Sequence, residues 1–184
     1  MKTLRSNQFL LIYGMLGFTL VELMIALTLT AIVLVLAIPS FKNIIMNSRI
    51  SAETNAIASS LNYARNIAVS QNATTTVCPF SAQGSTTCGG NWQSGWIVVN
   101  QSAINGPTLL QTNMSGSNDP VLSSTAASVT FDTVGIATTQ AHFKTCDSRG
   151  GAYAESVEVL PTGFVETGYT MGTAVWDGTA LTCP

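Results

Sequence analysis

Charge is what this chain has least of. Only 9% of its 184 residues are Asp, Glu, Lys or Arg, and His142 is its one histidine. Serine and threonine are plentiful, but with a single imidazole no nucleophile–base–orienter set stands out. Neither a P-loop nor a Gly-rich dinucleotide fingerprint is present. These absences point to a non-enzyme with no catalytic residue and no cofactor. The basic residues are Lys2, Arg5, Lys42, Arg49, Arg65, Lys144 and Arg149, so only two lie beyond position 72. Nucleic-acid binding needs a clustered basic face, and none is written here. Cysteine is scarce too, at four: Cys78, Cys88, Cys146 and Cys183. Their spacings are not C-x₂-C, and His142 stands at no ligand spacing from a cysteine pair, which argues against zinc or another metal.

What is present is one long apolar run. From Phe18 to Ile38 there are 21 residues, of which Glu22 alone is charged. About 20 apolar residues suffice to span a bilayer. A carboxylate within such a segment costs about 2.5–3.5 kcal/mol at mid-helix on insertion scales, so it calls for a function and a partner. The partner inferred here is a free α-amino group, made by cutting before Phe18 in a neighbouring copy. A secretory signal peptide is the first rival, with Lys2 and Arg5 as its basic flank and Val35-Leu36-Ala37 as its cleavage site. Its apolar region is normally about 7–15 residues, shorter than this run, and it would not carry Glu22. A plain membrane anchor is the second rival, and it too leaves Glu22 unexplained. Lys2 and Arg5 place the N-terminus in the cytoplasm and the remainder of the chain on the extracytoplasmic side.

Gly17-Phe18-Thr19-Leu20-Val21-Glu22, after a short basic leader and before an apolar helix, resembles the processing site of type IV prepilins and pseudopilins. The resemblance implies cleavage after Gly17 by a prepilin peptidase, N-methylation of Phe18, and an assembly role for Glu22 at the fifth mature position. Removing a leader at 1–17 leaves 167 residues with five basic and nine acidic side chains, a balance of −4.

The extracytoplasmic side is oxidising, and an even number of cysteines there implies two disulfides. Three pairings are open. Cys78–Cys88 with Cys146–Cys183 is favoured, the first closing a short Gly/Ser/Thr loop and the second tying the chain end to an interior strand.

The helix signal runs from 18 to 72, as an 18–38 membrane or filament-core part and a 39–72 amphipathic part. Pro39 interrupts it, removing a backbone donor, and predicts a local kink. Beyond it Phe41, Ile44, Ile45, Ala52, Ala56, Ala58, Leu61, Ala64 and Ala68, with the nearby Ile57 and Ile67, recur near 3–4 spacing. At about 1.5 Å per residue, Phe18 to Gln71 would measure about 80 Å. Residues 73–184 form the extracytoplasmic domain, where β-branched runs predict strands near 74–78, 96–99, 128–131, 141–146, 156–160, 173–176 and 180–182. Residues 101–127, rich in Ser, Asn, Gly and Thr, read as a long loop. Val129-x-Phe131-x-x-x-Gly135-Ile136 and Val157-x-Val159-x-x-x-Gly163-Phe164 read as two like units of strand, glycine turn and returning strand. The class is α+β: one long N-terminal helix against a mostly antiparallel β-sheet.

Val77-Cys78-Pro79, Trp92, Gly95-Trp96-Ile97-Val98-Val99, Phe131-x-x-x-Gly135 and Cys146-Asp147-x-Arg149-Gly150 are similar to the GspH/FimT group of minor pilins and pseudopilins. The type IV pilin fold is what this implies. The implied partners are other pilin or pseudopilin subunits, the prepilin peptidase and an inner-membrane assembly platform. The location would be a single-pass inner-membrane protein with a periplasmic domain, then a pilus or pseudopilus. The implied function is a structural minor pilin of a type IV pilus, with two alternatives: a minor pseudopilin of type II secretion, or a DNA-binding pilus subunit for natural transformation. DNA-binding relatives tend to carry arginines after the counterpart of Gly163, whereas this chain has none there and holds Glu166 and Asp177. Three further features have a functional and a plain reading. Trp92 and Trp96 would stack on a base or sugar, or pack a core. Arg149-Gly150-Gly151 would bind an anion, or be a solvated turn. His142 on its strand reads as structural.

Overall fold

The computed structural model describes residues 17–82, 84–102, 106–115 and 119–183, and most of the expected leader lies outside them. The chain divides into two compact units, Met1–Lys42 and Asn43–Pro184. One helix, α1 (Leu20–Gln71), runs through both, and its helical assignment continues through Pro39 rather than ending there.

In the first unit every side chain from Phe18 to Ile38 is exposed, although nearly all are apolar. The stretch is long and apolar enough to cross a membrane. In the second unit the same helix buries Ile50, Thr54, Ile57, Leu61, Ala64 and Ala68. Those positions step by four and three alternately, which keeps one stripe on one face of a 3.6-residue helix. Ile50 and Thr54 belong to the stripe although the sequence pattern missed them. Phe41, Ile44, Ile45 and Ala52, which it included, are exposed.

Eight strands follow among the described residues: β1 (Thr75–Pro79), β2 (Gly95–Ser102), β3 (Gly106–Met114), β4 (Val121–Ser124), β5 (Val129–Phe131), β6 (Ala141–Cys146), β7 (Glu155–Val159) and β8 (Val165–Thr167). They form two four-stranded sheets, β3-β2-β1-β5 and β4-β6-β7-β8, rather than a single sheet. Every pairing is antiparallel. One core joins the helix stripe to both sheets, with Ile57 and Leu61 against Val77, Val98, Phe131, Leu122, Phe143 and Val157. Alternating strand residues supply it, because successive side chains point to opposite faces.

Two expectations are corrected. Most of the segment 101–127 is strand, not loop: β3 pairs along β2, with a register shift at Val98/Val99, and β4 pairs with β6. Its polar composition suits a sheet edge with one solvated face, and β3 is in fact only partly buried. Conversely, 173–176 and 180–182 are not strands. A single bridge, Thr173 to Ala180, joins them. Their β-branched residues lack a neighbouring strand long enough to sustain a ladder.

The two like units differ in extent. After β7 the chain returns as β8, whereas after β5 it returns through one bridge, Phe131 to Ala137. Their turns meet. A Cβ at Gly163 would fall on the Gly135 carbonyl oxygen, and Gly163 holds φ +77°. Glycine is therefore required there for both conformation and space. Arg65 of α1 clamps both turns, donating from Nε to Gly135 O at 3.0 Å and from Nη2 to Thr162 O at 3.4 Å.

Candidate functional site

Two residues, Thr19 and Glu22, build the start of α1. Thr19 precedes the first helical residue and its Oγ1 accepts from the Glu22 amide at 3.2 Å. That bond satisfies one of the amide groups orphaned at every helix start. Glu22 then falls at the third helical position, where a carboxylate meets the partial positive charge of the helix N-terminus. Thr-x-x-Glu is the spacing of a capping box, a signal written in the sequence that the hydropathy pattern alone does not bring out. Gly17 and Phe18 precede the cap in non-helical backbone, and Phe18 is 80% exposed. Further along, Thr28 and Thr30 donate their hydroxyls to carbonyls within the helix, at 2.9 Å for Ile25 O and 2.7 Å for Ala26 O. The surface left facing outward from Leu20 to Ile38 is therefore apolar apart from Glu22. Water penalises such a surface, and lipid or a bundle of like helices does not.

Both disulfides lie in the second unit. Cys78 joins Cys88, with Cα atoms 5.5 Å apart, and Cys146 joins Cys183, at 5.9 Å. Both spacings are ordinary for a bridge. The second fastens the chain end beside Ala154, Ala174 and Leu181, which make a satellite cluster with Cys146. Gly151 lies so close to the Leu181 carbonyl that a Cβ would overlap it.

Of the remaining candidates, Trp92, Trp96 and His142 resolve toward their plain readings, and Arg149 toward neither of its two. Trp92 and Trp96 are core residues, Trp96 wholly buried. The Trp92 indole N–H donates to Ala126 O at 2.8 Å, and its ring meets Phe143 edge-on at 4.9 Å. Arg149 is bound within its own turn: its guanidinium reaches the Asp147 carboxylate at 2.7 and 2.8 Å and stacks over Tyr153 at 4.1 Å. It is neither solvated nor offered to an anion. His142 stacks on Trp176 at 4.3 Å, and its Nε2 lies 3.3 Å from Glu158 Oε1. Among the described residues no group of His, Cys, Asp and Glu is gathered as for a metal. Arg65, the clamp between helix and turns, is a structural position that sequence reasoning missed; its signal is a cation beside the apolar stripe of α1.

One titratable group on α1 is strained by its surroundings. Burial pushes the Glu53 carboxyl above its ordinary 4.5, only partly offset by a hydrogen bond with Ser115. Its Oε1 is buried without a hydrogen-bond partner, which fits that direction.

A helix uncovered and apolar in its first half, and committed to a β core in its second, is the construction of a pilin-like subunit: a membrane-anchored chain with a folded head. Residues 15–38 match the prokaryotic N-terminal methylation motif. Residues 53–163 match the type II transport protein GspH family, and the chain belongs to that family of minor pilins and pseudopilins. No curated protein matches the chain in sequence. Among solved structures it is similar to the type IV minor pilin FimU of Pseudomonas aeruginosa (strain PAO1). The P21 crystal form gives a TM-score of 0.52 at 16% identity, over 66% of this chain and 89% of that one. The P65 form gives 0.50 at 16% identity, over 64% and 91%. The minor pseudopilin EpsH from the type 2 secretion system of Vibrio cholerae gives 0.49 at 9% identity, over 64% and 94%. At these identities the likeness to FimU is one of fold.

Proposed function

We propose that this chain is a structural minor pilin that incorporates into a type IV pilus and helps initiate it. The observation that carries the reading is the fully exposed apolar run from Leu20 to Ile38, with Glu22 as its one charge. Residues 1–17 are removed after Gly17 by a prepilin peptidase, and the new Phe18 amine is methylated. Before assembly the chain sits in the inner membrane with its domain in the periplasm. On the assembly platform the run moves from lipid to a bundle of like helices, both free of competing water.

Glu22 pairs with the Phe18 amine of the adjacent subunit. A buried pair of this kind adds little net stability, because desolvation offsets the Coulomb attraction, but it sets register. Register is what a head-to-tail filament repeats. Pro39 supplies a point where a missing amide donor lets the helix loosen on assembly.

The capping spacing offers Glu22 a second role, inside its own helix start, and the two roles are separable. Glu22→Gln keeps a hydrogen-bonding side chain at the third helical position but removes the charge. If intermolecular pairing is the role, Glu22→Gln and Glu22→Ala both lose incorporation into sheared filaments, by about tenfold or more, at unchanged membrane levels. Normal incorporation of Glu22→Gln would sink the pairing. Mass spectrometry of the mature chain should find methylated Phe18 at its start, and a start after Ala37 would remove the prepilin reading altogether.

The family description favours a second reading, a minor pseudopilin of type II secretion. A deletion strain separates them, by loss of surface pili in one case and of exported protein in the other. A DNA-binding role is the weakest, since Arg149 is already paired with Asp147 and Lys144 is the one other cation beyond α1. We read the chain as a non-enzyme, because its one histidine leaves no nucleophile–base–orienter set in the sequence.

A further inference from the structure

Between the membrane-length run and Ile50, the first residue of α1 that is buried, lies a stretch that the chain leaves mostly uncovered. Phe41, Ile44 and Ile45 lie there with 66%, 58% and 42% of their surface exposed. Lys42 and Arg49 are exposed beside them. No hydrogen bond or ion pair involves either of these side chains among the described residues. Seven residues apart, they fall on one face of a 3.6-residue helix.

Charge is sorted along the chain. No acidic residue stands between Glu22 and Glu53, so the two cations have no counter-charge on their own part of the helix. Beyond residue 72 there are two basic and seven acidic residues, a balance of −5. Both of those basic residues are already engaged, Arg149 by Asp147 and Lys144 by the Thr182 carbonyl. Along the sequence, then, a cationic stretch adjoins the apolar run and an acidic domain follows it.

Spacing along the helix fixes what this stretch would meet. At about 1.5 Å per residue the run from Phe18 to Ile38 measures about 31 Å, close to the hydrocarbon thickness of a bilayer, about 30 Å. With that run in lipid, Lys42 sits about 6 Å beyond the hydrocarbon, within a headgroup layer about 5–8 Å deep. Arg49 sits about 16 Å out, and its side chain leans back toward the helix N-terminus, which is the membrane side. Its charge thereby comes within about a Debye length, ~8 Å, of the lipid phosphates. Phe41 falls at the acyl boundary. A bundle of identical helices does not answer this surface, because like copies bring more cations and no carboxylate between positions 22 and 53.

We propose that the stretch Phe41–Arg49 is a docking surface for anionic phospholipid of the extracytoplasmic leaflet, with Lys42 on the lipid phosphate, Arg49 adding attraction from the solvent side and Phe41 in the acyl boundary. The inference rests on the reading that residues 18–38 span the membrane before assembly. That span already holds the helix at the surface, so two cations suffice where a soluble protein would need a larger cluster. Each cation near an anionic surface favours contact by about fivefold. Extraction into a filament gives this contact up.

The full-length chain is reconstituted in lipid nanodiscs of phosphatidylcholine, alone or in equal mixture with phosphatidylglycerol. Reductive methylation is followed residue by residue by mass spectrometry, with Lys144 as the reference in the domain. Lys42 should react about fivefold more slowly in the mixed discs. Lys144 should react alike in both, and high salt should remove most of the difference at Lys42. Arg49→Gln should weaken the slowing of Lys42, and an unchanged slowing would remove Arg49 from the surface. Equal Lys42 rates in the two discs overturn the proposal and leave the uncovered stretch to a neighbouring subunit. So does an equal slowing of Lys144. Equal slowing by inorganic phosphate in the phosphatidylcholine discs overturns it too, since Lys42 would then be a soluble-anion site. Failure of the membrane reading itself is seen separately, as a chain that does not stay in the discs.

Discussion

The two halves of α1 solve opposite problems with the same backbone. From Leu20 to Ile38 every side chain is exposed, and most of them are apolar. From Asn43 to Gln71 the buried positions narrow to one stripe, and much of the remaining surface is polar or small. A helix apolar all round belongs in lipid or among other helices, and one with a single apolar stripe belongs on a core. Foldedness within the chain therefore resides in the second unit, while the first depends on what surrounds it. Both disulfides and the shared core lie in the second unit.

The comparison is tested most severely by the disulfides. Opening Cys146–Cys183, by replacing both residues with serine, should destabilise the domain by about 4 kcal/mol, and opening Cys78–Cys88 by about 3, if chain entropy governs. Denaturant unfolding of the full chain in detergent, followed by tryptophan fluorescence, measures this. The helical signal of the apolar half should persist through that transition.

The next test applies one substitution to each half. Leu61→Ala removes a wholly buried side chain and should cost about 2–5 kcal/mol. Leu34→Ala, on the exposed run, should leave domain unfolding unchanged within about 0.5 kcal/mol. A large loss from Leu34→Ala would mean that the two halves are not energetically separate.

Arg65→Ala releases the two glycine turns from α1 and should cost about 1–3 kcal/mol, since hydrogen bonds from a charged donor are lost. Faster amide exchange at Gly135 and Gly163 would show that the effect is local to the turns. The smallest effect concerns Glu53. Its folded pKa is raised, so the folded state holds its proton to higher pH than the unfolded state does. Its contribution to stability is therefore most favourable in acid and falls as pH rises past 4.5. Glu53→Gln should raise the melting temperature slightly at pH 7, and the gain should vanish toward pH 4. An equal gain at both pH values would rule out titration as the cause.

The methylation motif, the membrane-length run and the α+β class are legible in the sequence, because each is a local pattern. A charge in an apolar run, glycine before phenylalanine and a 3.6-residue period need no knowledge of distant residues. The features that escape a sequence reading are not local. Residues 101–127 look like loop because their composition is polar, yet β2 offers a ladder that holds β3 at the sheet edge. Thr173–Trp176 looks like strand because of its β-branched residues, yet among the described residues only one bridge reaches it. Arg65 and Gly163 sit 98 residues apart in sequence, and nothing in either neighbourhood says that they meet.

Sequence by itself determined that this chain has a helix unsuited to water and a β-rich head stapled by cysteines, because hydropathy and periodicity act over short stretches. Tertiary structure decided which side chains the head consumes. Arg149 went to Asp147, Trp92 and Trp96 to the core, and Arg65 to two carbonyls of distant turns. Lys144 remains beside a cavity, with no ion pair among the described residues. Which charges stay available depends on contacts across the fold, and no local pattern encodes them.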